Sequence, residues 1–159
     1  MIDSFKGQYS FLSNFYCIDQ IVGGIVYPSN EHFFHACKTQ VMEEQNVIRT
    51  APTPAIAKKM ASRSGYRLPN GKLFKITLRP DWNSIRVSVM QLGVEAKFSQ
   101  NLNIHNALMA TGSIQLVEDN YWHDNFWGNC LCSKCMDIPG LNNLGKLLMF
   151  YRTMFGRRK

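Results

Sequence analysis

Apolar residues recur with a helical period over several long stretches of this chain and alternate with period two over only a few short ones. Phe15 to Tyr27 is interrupted by Gly23-Gly24, which lie between Ile21-Val22 and Ile25-Val26. Two glycines between β-branched pairs predict a tight hairpin. Pro28 is expected to end its second strand, and Ser29 or Asn30 to cap a helix running to about Glu44. On that helix Phe34, Cys37 and Val41 form an apolar stripe, and Glu31, His35 and Lys38 share another face. Thr53-Pro54 predicts a capped helix ending near Gly65. Pro69-Asn70-Gly71 predicts a turn, and alternation over Leu73 to Leu78 a strand. Asp81 is placed to cap a helix to about Gln100, with Ile85, Val89, Leu92 and Ala96 as its core stripe. Its second face, Trp82, Arg86, Met90, Gly93 and Lys97, is an odd mixture for solvent. A short helix from Ile104 to Ala110, a possible strand from Ile114 to Glu118 and a last helix from about Asn142 follow. In that last helix Leu144, Leu148, Tyr151 and Phe155 are expected inside. Helices dominate and strands are short and scattered, which predicts a helix-rich α+β fold with a small sheet rather than repeated βαβ units.

The length of 159 residues suits one domain, residues 1–159 with a basic tail at 156–159, and the 45% apolar content is that of a globular chain. No apolar stretch approaches the roughly 20 residues of a membrane helix. The N-terminus lacks the pattern of a secretion signal, so the cytoplasm is the expected location. Charge adds more to the picture. The net charge of +7 is concentrated, with eight basic residues and no acid between Asn46 and Pro80. Five more basic residues, again without an acid, lie between Ile138 and Lys159. Such blocks attract phosphate, in a nucleotide or a nucleic acid, if they gather on one surface; otherwise they are solvated faces.

Three groups of residues are candidates for chemistry. Glu31 sits at a predicted helix start, where the dipole alone favours an acid; His35 and Lys38 share its face and suit control of its charge or contact with phosphate. Asp124-Asn125-Phe126-Trp127-Gly128 places an acid and an indole in a polar loop, where the ring can stack on a base and the acid can equally cap a turn. Cys130, Cys132 and Cys135 have a spacing that could hold a structural zinc if His123 supplied a fourth ligand; free thiols in a loop are the plainer reading. No zinc-protease helix, dinucleotide fingerprint, phosphate-binding loop or nucleophile elbow occurs, which argues against metallohydrolases, kinases, P-loop ATPases and α/β-hydrolases.

In order and spacing the motifs resemble those of the NADAR, or YbiA-like, superfamily. The matching pieces are Phe11 to Tyr16, Tyr27 to Lys38, Met90, Ala96 to Asn101, Leu108 to Gly112, Leu116 to Glu118, Asp124 to Gly128, and Gly140 to Met149 followed by Arg152. The resemblance implies N-glycosidase chemistry on phosphorylated riboflavin-pathway intermediates, or removal of ADP-ribose from guanine bases, including ADP-ribosylated DNA. It implies a YbiA-like α+β fold. Carried over by motif, it makes Glu31 and Asp124 catalytic and assigns Asn14, Phe15, Lys38, Trp127 and Gly128 to substrate binding. Arg86, Lys97 and Asn101 are further substrate-binding candidates. Two features depart from the simplest family pattern: a lengthened, cysteine-bearing segment after Gly128, and the basic block from Arg49 to Arg79.

Breaking a sugar–nitrogen bond builds an oxocarbenium-like charge that a carboxylate stabilises. Glu31 is preferred for that role over Asp124, and the chemistry requires no metal or other cofactor. The alternatives are a non-catalytic module that binds NAD, ADP-ribose or nucleic acid with the same residues, and a nucleic-acid-binding protein with a zinc-stabilised loop.

Overall fold

The computed structural model describes residues 1–156; Arg157, Arg158 and Lys159 of the basic tail lie outside the described residues. Two compact units make up the chain, one of residues 14–100 and one of residues 1–13 with 101–159.

The first unit opens with the expected hairpin, β1 (Cys17–Val22) and β2 (Ile25–Ser29), antiparallel with Val22 opposite Ile25. Gly23 and Gly24 both take positive φ, as a two-residue turn of matching twist requires. Next come α1 (Asn30–Ala36), α2 (Met42–Arg49) and α3 (Pro54–Met60). A two-residue pairing of β3 (Tyr66–Arg67) with β4 (Leu73–Phe74) leads to the long α4 (Trp82–Ser99). The core of this unit joins Tyr27 and Phe33 to Ile48, Ala57 and Met60.

The single helix expected from Ser29 to Glu44 is two helices. Thr39 is drawn out of helical geometry by several partners. It forms an antiparallel bridge with Leu78, its hydroxyl donates to Glu44 Oε2 at 2.5 Å, and its carbonyl accepts from Gln45 Nε2 at 2.8 Å. Lys38 O accepts from Arg79 N at 2.9 Å. The same pairing shortens the strand expected at Leu73 to Leu78, whose far end serves Thr39 and Glu44 instead of β3. The helix after Thr53 stops at Met60, short of Gly65, while its cap is as expected, with Thr53 Oγ1 accepting from Ile56 N at 3.2 Å.

On α4 the two faces largely exchange roles, although Ala96 of the expected core stripe is buried. Trp82, Met90, Gly93 and Lys97 are buried, whereas Leu92 is 48% exposed and Ile85 and Val89 are only half-buried. Gly93 is the reason. A Cβ there would collide with the Asn30 amide oxygen and lie 2.8 Å from the Phe33 ring. A hydrogen at that position lets α1 press against α4, so the face with the glycine becomes the core face.

The second unit holds a short 3₁₀ helix (Gly7–Leu12), α5 (Leu102–Ala110), the parallel pair β5 (Asp119–Asn120) and β6 (Asn129–Cys130), and α6 (Asn143–Gly156). The strand expected from Ile114 to Glu118 is reduced to a bridge, with Leu116 beside Ile2. Leu144, Leu148 and Tyr151 of α6 are buried as expected, and Phe155 is half-buried. Tyr151 stacks on Phe155 at 4.2 Å and its hydroxyl meets His105 Nδ1 at 3.1 Å. The fold class is thus α+β, with three separate two-stranded pairings among the described residues. No described helix is long and apolar enough to cross a membrane.

Candidate active site

Every residue of α1 is buried, an unusual state for a helix carrying Asn, Glu and two His. Most of their polar groups are matched, His35 Nδ1 being the exception among the described residues. Ser29 caps the helix, its Oγ accepting from His32 N at 3.3 Å and meeting His32 Nδ1 at 2.7 Å. His32 Nε2 lies 3.0 Å from Ala51 O. The ring is neutral, donating through Nε2 and accepting through Nδ1; burial holds its pKa below the ordinary value. Asn30 is fully buried and ties three elements together. Its Nδ2 donates to Asn14 Oδ1 at 2.8 Å and lies 3.3 Å from Met90 Sδ, while its Oδ1 accepts from Gln20 Nε2 at 3.2 Å.

This frame fixes Glu31, which is 6% exposed. Its backbone N–H donates to Asn14 O at 3.0 Å, and its Oε1 lies 2.9 Å from His35 Nε2. A carboxylate only accepts, so Nε2 carries the proton; Nδ1 has no hydrogen-bond partner among the described residues. Burial pushes the His35 pKa down, and Glu31 offsets this only in part. A neutral His35 therefore orients Glu31 without cancelling its charge. Lys38 follows one turn beyond, with its ammonium 6.0 Å from the centre of the Trp82 ring. Its pKa is lowered to about 8, chiefly by burial; Glu31 works against that shift and Lys58 adds to it. The Lys58 ammonium stands over the Phe15 ring at 5.6 Å.

Asn14, Phe15, Glu31 and Lys38 are thus linked in one unit through Asn30, His35 and Lys58. Arg86 and Lys97 belong to the same unit. Arg86 is half-buried on α4, and Lys97 is fully buried with its ammonium 5.6 Å from the Tyr16 ring centre and 5.1 Å from that of Phe98.

Asp124, Trp127, Gly128 and Asn101 belong to the other unit. Asn101 precedes α5, and its carbonyl accepts from His105 N at 3.0 Å. Asp124 Oδ1 accepts from Phe126 N at 3.1 Å and from Trp127 N at 2.8 Å, the turn-capping alternative that its sequence position allows. Gly128 packs so closely on Glu118 that a Cβ would overlap the Glu118 carbonyl oxygen. Asparagines hold the rest of the loop. Asn120 donates to Asp124 O at 2.8 Å and accepts from Asp124 N at 3.2 Å. Asn125 accepts from Cys130 N at 2.7 Å, and Asn129 from Gly140 N at 3.1 Å. Asn142, at φ 49°, accepts from Glu118 N at 3.1 Å and donates to Leu116 O at 2.9 Å. Beside this turn His123, Cys130, Cys132 and Cys135 converge, their donor atoms all within 4.8 Å of one another.

Sequence reasoning missed Asn30, Lys58 and these loop asparagines. The crowding of Asn120, Asn125, Asn129, Asn142 and Asn143 into 24 residues was the available signal. Side-chain amides both donate and accept, which suits backbone with few ladder partners.

The model of the NADAR domain matches residues 3–155, nearly the whole chain. The chain belongs to the NADAR family. This NADAR protein is 31% identical over 160 residues to the N-glycosidase YbiA of Escherichia coli (strain K12), an alignment covering 98% of this chain and 88% of YbiA. It is 34% identical over 145 residues to the riboflavin biosynthesis protein VVA0006 of Vibrio vulnificus (strain YJ016). That match covers 91% of this chain but only 35% of the Vibrio protein. The NMR structure of E. coli YbiA superposes with a TM-score of 0.76 at 30% identity, covering 99% of this chain and 88% of the other. The helix-rich α+β architecture is therefore that of YbiA.

Proposed function

We infer that this NADAR chain is an N-glycosidase, a hydrolase of N-glycosyl bonds, acting on a phosphorylated ribosyl substrate through Glu31. The observation that carries this reading is the Glu31 carboxylate, buried and oriented by a neutral His35, with Lys38 near enough for the two charges to interact. As the glycosidic bond breaks, positive charge grows at the anomeric carbon and the base leaves with the bonding electrons. Glu31 stabilises that charge and orients a water, whose oxygen bonds to the anomeric carbon while its proton goes to the departing nitrogen. Partial desolvation strengthens the electrostatics of the carboxylate relative to bulk water. Lys38 and Lys58 supply cations for the substrate phosphate. In the other unit Asp124 shapes the turn at Trp127, accepting from its backbone N–H.

The relative named for riboflavin biosynthesis and the YbiA glycosidase favour phosphorylated riboflavin-pathway intermediates as the substrate class. Product analysis by mass spectrometry tests this. Purified protein is incubated separately with those intermediates and with DNA carrying ADP-ribosylated guanine. Release of ribose phosphate from the intermediates supports the reading. Release of ADP-ribose from DNA alone moves the substrate to the second branch. No product from either, with measurable ADP-ribose binding, makes the chain a binding module.

A further inference from the structure

We propose that His123, Cys130, Cys132 and Cys135 bind one zinc(II) ion in a closed four-ligand site that clamps the Asp124–Gly128 turn. Three thiols and an imidazole are the donors that a tetrahedral structural zinc takes, with Zn–S near 2.3 Å and Zn–N near 2.0 Å. Those bond lengths imply donor–donor separations of roughly 3.5–3.8 Å. Here His123 Nδ1 lies 3.1 Å from Cys132 Sγ and 3.4 Å from Cys135 Sγ, and no pair in the set exceeds 4.8 Å. The donors therefore need only a small adjustment to close around one ion.

The backbone is shaped for the same task. His123 takes φ 66°, outside the usual range for a residue with a side chain, and this turns its imidazole toward the thiols. Cys132 O accepts from Cys135 N and Met136 N, both at 2.9 Å, in a tight turn that aims two thiols the same way. His123 N donates to Cys130 Sγ at 3.3 Å, an N–H to sulfur bond of the kind that supports a metal-bound thiolate. Four protein ligands leave no open position, so the ion is structural and takes no part in the hydrolysis. Its placement gives it a purpose. His123 adjoins Asp124, and Cys130 N is bound by Asn125, so an ion at this cluster joins both ends of the turn.

The test uses the full chain, expressed in zinc-replete cells and purified without chelator. Elemental analysis is expected to give one zinc per chain. Cobalt(II) added to chelator-treated protein should give the absorption of a tetrahedral thiolate site. Zinc removal should speed proteolysis between residues 121 and 136. Cys132→Ser should weaken zinc binding by at least about 100-fold, while His123→Cys, which keeps four ligands, should retain the ion. The wild-type measurement stands even if a variant fails to fold. A metal-free protein that takes up no added zinc, a protein holding iron instead, a disulfide among these cysteines in the freshly purified protein, or unchanged zinc affinity in Cys132→Ser would each overturn the proposal.

Discussion

The two acidic candidates, Glu31 and Asp124, are held in opposite ways. Glu31 is fixed from outside itself: its helix is buried on all sides, and its carboxylate receives one hydrogen bond from a neutral histidine. Asp124 is the fixing agent. Its Oδ1 is occupied by two backbone N–H groups, and removing it would undo the turn at Trp127. A carboxylate already committed to backbone donors has less to offer a developing cation than one whose surroundings have been arranged for it. The contrast supports the proposal that Glu31 stabilises the charge and that Asp124 holds its turn.

The largest effect that can break this comparison is on turnover. Glu31→Gln keeps the shape and removes the charge, and should lower kcat by about 10²–10⁴-fold with little change in KM, measured by steady-state product release. Next is the frame that holds Glu31. Gly93→Ala places a methyl against Asn30 and Phe33 and should cost about 1–3 kcal/mol in denaturant unfolding, by prising Asn30 from Asn14 and Gln20. A smaller effect concerns Lys38. Its pKa near 8 means that it carries its charge below that pH and loses it above. If Lys38 meets the phosphate, kcat/KM for a phosphorylated substrate should fall as pH rises through about 8. Lys38→Arg should move that limb to higher pH, because a guanidinium stays charged throughout.

Parts of this design were legible in the chain itself. The hairpin at Gly23-Gly24, the caps at Ser29 and Thr53, and the long helix from Trp82 all follow from local chemistry that neighbours do not override. The break at Thr39 was hidden because it depends on Leu78 and Arg79, some forty residues away. The reversed faces of α4 were hidden for a similar reason. Periodicity counted Leu92 as core and Gly93 as filler, while the space at Gly93 is what admits α1. Glu31, His35 and Lys38 were placed together correctly by their spacing, although the helix ends before Lys38. The neutral state of His35, on which the role of Glu31 depends, follows from burial that no local pattern reports. Whether Asp124 caps a turn was equally open until its two backbone partners were known.

The measurement that tests the assignment most directly is a side-by-side comparison of kcat for Glu31→Gln and Asp124→Asn on whichever substrate the wild type hydrolyses. Asparagine at position 124 retains the Oδ1 acceptor for Phe126 and Trp127, so this variant should keep kcat within about 10-fold of wild type, while Glu31→Gln falls by about 10²-fold or more. The reverse order, with Asp124→Asn inactive and Glu31→Gln close to wild type, would contradict the account and make Asp124 the charge-stabilising carboxylate.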